Sequence, residues 1–202
     1  MIKKSILSLM FTMSFSTLAG DLEQLRSQLN LLNSFTAKFD QVVKDDQGDI
    51  LQQGQGEIAL QQPNKISWQQ EDTLLISDGD KTYYFDSFAE QVSIFKSEKL
   101  IQSTPFILLT SNDENLWQKY TVKMSKGAYT VSPKSLENAQ VSALVIRFED
   151  KTKGLKGLEI KDISGQTSYF NFSNATVNPE LKAEVFKFDI PADIEVDDQT
   201  GN

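Results

Sequence analysis

Short runs in which apolar residues alternate with polar ones recur through this chain, and they constrain its fold more than any other feature. Ile58 and Leu60 alternate with polar neighbours, Ile66 and Trp68 do so after Pro63-Asn64, and Leu74 and Ile76 follow. Asp78-Gly79-Asp80 is a tight-turn signal, and Lys81–Phe85 and Gln91–Phe95 flank a second turn at Asp86-Ser87-Phe88. Then come Trp117, Tyr120 and Val122, next Tyr129 and Val131, next Leu144, Ile146 and Phe148. Leu158 and Ile160, Phe170 and Phe172, and Phe186 and Phe188 complete the series. A period of two puts every second side chain on one face of a strand. Gly and Asn-Asp-Ser clusters separate the runs at roughly eight to twelve residues, the spacing of hairpins rather than of helical crossovers. The expected class is α+β, mainly antiparallel β. A sheet of so many strands curls, and its concave face has to be filled.

Two stretches depart from the alternation. Leu22, Leu25, Leu29, Leu32, Phe35 and Phe39 recur at three- and four-residue spacing, which predicts a helix over 21–41. Asp21 is its candidate N-cap, with Gln24 three residues on. The second departure is Leu100–Leu109. In "STPFILLT", Ser103 or Thr104 is placed to cap and Pro105 to start a short apolar helix, with a buried strand as the alternative.

The first 19 residues read as a secretory signal peptide. Lys3 and Lys4 precede a mostly apolar stretch, Ile6–Phe15, and Thr17-Leu18-Ala19 offers small residues for cleavage after Ala19. About ten apolar residues are too few to span ~30 Å of hydrocarbon. Leu18-Ala19-Gly20 resembles the run before a lipid-bearing cysteine, but Asp21 stands where that cysteine would be, and a carboxylate accepts no acyl group. Cleavage leaves residues 20–202, without linker or repeat, as one expected domain in the periplasm. Loss of Lys3 and Lys4 takes the net charge from −8 to −10. A body this acidic is unsuited to nucleic acid, whose phosphates need clustered Lys and Arg.

The chain holds neither Cys nor His, so Ser-His-Asp, Cys-His and His-zinc chemistry are all excluded. Carboxylates are many but sit in loops, and no pair reads as general acid and base. Gly54-Gln55-Gly56 lacks the third glycine of a phosphate loop and reads as a bulge or bend. Asp45-Asp46-Gln47-Gly48-Asp49 has the wrong spacing for a calcium loop and reads as a hairpin turn. Thirteen Phe residues fall mostly on apolar sides of the expected elements. They suit a core filled by its own rings, and equally an apolar pocket for a greasy ligand.

Five segments resemble one family in order along the chain: "LLNSFTAKFDQ" (31–41), "GQGEIALQQPNKISWQ" (54–69), "LISDGDKTYYFDSFAEQV" (75–92), "STPFILLT" (103–110) and "VDDQ" (196–199). The family is LolA, the periplasmic carriers of outer-membrane lipoproteins. The resemblance implies an unclosed, strongly curved antiparallel β-barrel, a half-barrel, covered by a helical lid with an apolar cavity between. It implies a monomeric carrier without enzymatic activity or cofactor. The carrier takes the acyl chains of lipoproteins released by an inner-membrane ABC transporter and delivers them to a LolB-like outer-membrane receptor. On the family pattern the cavity is lined by Phe35 and Phe39 from the first helix, Ile66 and Trp68 from the sheet, and Phe106 and Leu109 from the insertion. Ile58, Leu60, Leu144, Ile146 and Phe148 are walls. The family usually has an Arg before the Pro of "PNKISW", expected to hold the lid through backbone carbonyls. Here that position is Gln62, which has amide donors but no charge. The rivals are a same-fold receptor, which would need a lipidated cysteine, a same-fold lipid sensor, which normally has a second domain, and a carboxylate-based periplasmic hydrolase.

Overall fold

The computed structural model describes residues 20–97, 105–137 and 139–201. The expected signal peptide, the start of the apolar insertion and its caps Ser103 and Thr104 lie outside the described residues. The described part begins with α1 (Asp21–Asn30) and continues into a meander of β1 (Ser34–Lys44), β2 (Ile50–Gln61), β3 (Lys65–Gln70), β4 (Thr73–Asp78), β5 (Lys81–Asp86) and β6 (Gln91–Lys96). A 3-10 turn (Pro105–Leu109) and α2 (Glu114–Trp117) interrupt it. It resumes as β7 (Tyr120–Ser125), β8 (Ala128–Pro133), β9 (Val141–Phe148), β10 (Leu155–Asp162) and β11 (Thr167–Val177). A 3-10 turn (Ala183–Phe186) and β12 (Glu195–Asp198) close the chain.

All the described strands join one sheet of order β12-β6-β5-β4-β3-β2-β1-β11-β10-β9-β8-β7. β1 pairs β11 on one side and β2 on the other, which welds the two meanders into one surface. The two ends of the order do not pair, so the sheet stays open. The register sets one concave face. Phe35 opposes Leu60, Leu60 opposes Ile66, and Ile58 opposes Trp68. On the far half Leu158 opposes Phe170 and Ile146, and Leu144 opposes Val131. These side chains join Leu25 and Leu29 of α1, Phe106–Leu109, and Leu116 and Trp117 of α2 in one buried cluster. The helical pieces therefore cover the concave face.

Four local expectations are corrected. The N-terminal helix ends at Asn30 instead of continuing to Gln41, and Phe35 and Phe39 lie on β1. Residues four apart share a face on a helix and on a strand alike, so their spacing did not discriminate. Buried Ala37 between Phe35 and Phe39 marks the period of two. The helix cap is Gly20, not Asp21. The Asp21 carboxylate instead accepts the Met124 amide N–H at 2.9 Å, fastening the start of α1 to edge strand β7. Trp117 belongs to α2, where its indole N–H donates to the Ser111 carbonyl at 3.0 Å. Phe186 and Phe188 form no strand. Phe186 lies in the second 3-10 turn, and Phe188 packs its ring against Tyr83 and Phe85.

Those two rings explain a second buried face. Tyr83, Phe85, Val92, Ile94 and Ile76 point away from the concavity, yet Val92, Ile94 and Ile76 are buried. The segment carrying Phe186 and Phe188 crosses this outer face, and β12 then pairs in parallel with β6. Other turns are as the sequence suggests. The Asp45 carboxylate accepts the Gln47 and Asp49 amides in the β1–β2 hairpin. Gly79 takes φ +111° between β4 and β5, a left-handed conformation that glycine adopts freely.

Candidate functional site

The middle of the concavity is an aromatic stack that bridges sheet and cover. Trp68 on β3 lies 4.3 Å, ring centre to ring centre, from Phe39 on β1. On its other side it is 4.3 Å from Phe106 of the 3-10 turn, stacked at 25°. Phe170 on β11 meets Trp68, Phe39 and Phe106 edge-on at 4.9, 5.6 and 5.9 Å. Such rings gain ~0.5–1.5 kcal/mol per pair beyond the area they bury. Ile58, Leu60, Ile66, Leu109, Leu144, Ile146 and Phe35 are buried around the stack, and half-buried Phe148 packs on its margin. All eleven residues named from the sequence are thus brought to one face of the sheet and its cover. Their rings and branches fill that space in this conformation.

The turn between β2 and β3 fastens both parts of the cover, beside the bonds of Met124 to Asp21 on α1 and of Asn178 to the Leu31 carbonyl just after it. Gln62 donates its side-chain amide to the Leu29 carbonyl at 2.8 Å and its backbone N–H to the Asn33 carbonyl at 2.9 Å. The Leu29 carbonyl is at the C-terminal end of α1, where helix carbonyls lack helical partners. Asn64 donates its backbone N–H to the Thr110 carbonyl, just after the 3-10 turn, at 3.1 Å. One tight turn therefore holds both parts of the cover. Asn64 takes φ 58°, which Asn tolerates better than most residues. Its carbonyl accepts the Ser77 hydroxyl at 2.8 Å. Ser97 bridges Ser77 and Thr82 at 3.1 and 3.0 Å, and all three hydroxyls are buried. Sequence reasoning did not single out this hydroxyl group. Its signal is two polar residues, Ser77 and Thr82, at positions where the inward alternation asks for apolar ones. Arg26 of α1 and Glu114 of α2 add an ion pair at 3.7 Å, long and with the Glu114 side exposed, and so worth little.

An unfilled space remains at one rim. A cavity of about 300 Å³ lies between the 3-10 turn, the start of β7 and the β8–β9 loop. Leu108, Tyr120, Val131, Val141 and Leu144 line it. Of the residues named from the sequence only Leu144 is among them. Burial pushes the Tyr120 phenol above its ordinary pKa, so that side chain stays neutral.

The model of the family "Outer membrane lipoprotein carrier protein LolA" matches residues 30–189. The chain belongs to the LolA family. Two curated relatives agree. An outer-membrane lipoprotein carrier protein of Pseudoalteromonas translucida (strain TAC 125) is 48% identical over 96% of this chain and 93% of its own length. One of Aliivibrio fischeri (strain ATCC 700601 / ES114) is 34% identical over 98% of this chain and 99% of its own. Among solved structures, an uncharacterized conserved protein from Thermus thermophilus superposes with TM-score 0.51 at 8% identity, covering 88% of this chain and 98% of that one, which speaks to the fold alone. The open, mainly antiparallel sheet is what the resemblance implied, whereas the space it implied between sheet and cover is filled by buried side chains in this conformation. Gln62 makes a single side-chain bond to one carbonyl at this fastening point.

Proposed function

We propose that this chain carries the acyl chains of outer-membrane lipoproteins across the periplasm, housing them between the concave face and its helical cover. The observation that carries the reading is the stack of Phe106 on Trp68. The contact between cover and sheet is apolar and aromatic, and at residues 62–64 three hydrogen bonds fasten it, one from the Gln62 side chain and two from backbone N–H groups. Leaving an acyl chain of ~15 methylenes in water costs about 12 kcal/mol at ~0.8 kcal/mol per CH₂, so a lipoprotein does not cross water unaided. A carrier must hold the chain and still release it. The filled core supports such a balance, because the cover's own Phe106, Leu108 and Leu109 would compete with cargo for the same surface.

In this reading Phe35, Phe39, Ile58, Leu60, Ile66, Trp68, Phe106, Leu109, Leu144, Ile146 and Phe148 face the acyl chains once the cover lifts. Gln62 sets how firmly the cover closes. Residues 1–19 direct export and are removed, and residues 20–202 act as one monomeric carrier domain without a catalytic step. The cargo comes from an inner-membrane ABC transporter and goes to a LolB-like receptor. The names and full-length coverage of the relatives support this. No helix among the described residues is long and apolar enough to cross a membrane. The test is release of a tagged lipoprotein from spheroplasts on adding the purified protein. Acylated cargo is expected in the soluble fraction bound to it, and cargo remaining with the membrane contradicts the reading.

A further inference from the structure

Phe88, in the turn between β5 and β6, is 91% exposed, more than any other described large apolar residue. The turn that carries it is well braced. The Asp86 carboxylate accepts the Phe88 and Ala89 amides at 2.9 and 3.0 Å, and the Ser87 N–H donates to the Asp72 carbonyl at 2.8 Å. The Glu195 N–H donates to the Glu90 carbonyl at 3.1 Å, which brings the start of β12 to the same turn. A single exposed ring means little, but Ile50 and Leu51 at the start of β2 and Ile163 just after β10 are exposed at the same end of the sheet. Gln62 and Asn64 tie the cover at the opposite end, before β3. On the concave face buried Leu75 opposes Tyr84, which is 40% exposed, so that face is open on β5 ahead of Phe88.

The charge around Phe88 is one-sided. Residues 71–72, 86–90 and 193–195 hold six carboxylates, Glu71, Asp72, Asp86, Glu90, Asp193 and Glu195, and neither Lys nor Arg. None of the six is ion-paired among the described residues. Asp72 and Asp86 brace the turn with their side chains, while Glu71, Glu90, Asp193 and Glu195 are exposed. Like charge argues against a second copy docked through the same face, and against an anionic membrane. An exposed apolar anchor among unpaired carboxylates fits a cationic partner. We infer that this end of the sheet seats the polypeptide that follows the acylated cysteine of a cargo, and that it favours cargoes whose residues there are basic. The inference rests on the lipoprotein-carrier reading. With the acyl chains in the concavity, the peptide leaves over the end that the cover does not tie, past Tyr84 to Phe88. Lysine stems then lie on the Phe88 ring, and their ammonium groups meet the four exposed carboxylates.

The test offers the purified protein triacylated peptides in phosphatidylcholine vesicles and measures the peptide carried into the vesicle-free fraction. The peptides are Cys-Ser-Lys-Lys-Lys-Lys, Cys-Ser-Ser-Ser-Ser-Ser and Cys-Ser-Glu-Glu-Glu-Glu, acylated on the cysteine. At low ionic strength the Lys form is expected to be taken up about tenfold better than the Glu form, with the Ser form between. At about 1 M salt, where charges act over only ~3 Å, uptake of the three should converge. The variant Glu71→Gln, Glu90→Gln, Asp193→Asn, Glu195→Gln is expected to cut the Lys-to-Glu ratio to about twofold or less and to leave the Ser form unchanged. Phe88→Ser is expected to lower uptake of the Lys form about threefold. All five side chains are exposed, so both variants fold. Equal uptake of the three peptides, a Lys preference that survives salt or removal of the carboxylates, or Lys uptake indifferent to Phe88→Ser would each overturn the inference and leave carriage standing. Uptake of none of them would overturn carriage, and this inference with it.

Discussion

Gln62 ties the end of α1 to the β2–β3 turn. Its amide makes one neutral hydrogen bond to the Leu29 carbonyl, worth about 0.5–1.5 kcal/mol net. A guanidinium at the same place brings five donors and a charge, and charge-assisted bonds are worth roughly twice as much. Gln62→Arg is therefore expected to raise stability by about 1 kcal/mol and to slow transfer of bound cargo to a receptor more than it alters loading. Denaturant midpoints and single-turnover transfer rates check both parts, and unchanged transfer would remove Gln62 from closure control. Gly56 shows a different limit of residue-level reading. The sequence suggested a bend, whereas the structure gives a steric reason. A Cβ there would collide with the Gln69 carbonyl and come within 2.5 Å of the Phe39 ring. Gly56→Ala should cost about 1–3 kcal/mol by urea unfolding, through displacement of Phe39 from the stack. A glycine in a strand signals that something comes close, but only the register of β1 on β2 says what.

At the scale of elements, alternation made most of the sheet legible. β2, β3, β5, β6, β8, β9, β10 and β11 fall where the alternating apolar pairs put them. The helix boundary did not, since Phe35 and Phe39, four residues apart, satisfy both periods and Ala37 is too small to weigh strongly in either. The C-terminal segment was illegible for another reason. Phe186 and Phe188 alternate like strand residues but serve as a cover for the outer face, and nothing local distinguishes a ring that packs within a sheet from one that packs upon it. Phe186 is 1% exposed and lies over β3 and β4, with the Lys65 ammonium 5.9 Å from its ring centre. Phe186→Ala is expected to cost about 3–5 kcal/mol. Native-state hydrogen exchange should show the loss first in β4–β6, whose outer side chains Ile76, Val92 and Ile94 lie on that face. Protection lost uniformly, or first in β8–β10, would mean that the segment does not stabilise this half of the sheet on its own.

The whole molecule is a curved sheet whose hollow is occupied by its own cover. From the sequence, a filled core and a lined pocket were equally consistent with thirteen Phe residues, because both bury the same side chains. The structure resolves this into a filled centre, built on Phe39, Trp68, Phe106 and Phe170, and an open rim beside Leu108 and Leu144. A carrier of this design exchanges one apolar partner for another, so the cost of opening is offset by the acyl chains that enter. The exchange has a direct reporter. The chain has two tryptophans, and Trp117→Phe leaves Trp68, at the centre of the stack, as the only one. The decisive measurement is acrylamide quenching and emission of Trp68 in that variant during titration with an acylated lipoprotein and with the same protein lacking its acyl chains. Acylated cargo should shift and saturate the Trp68 signal at one equivalent, as Phe106 leaves the indole and an acyl chain replaces it, while the unacylated form leaves it unchanged. Binding of acylated cargo with no change at Trp68 would contradict the account, since cargo would then occupy some surface other than the one the cover protects.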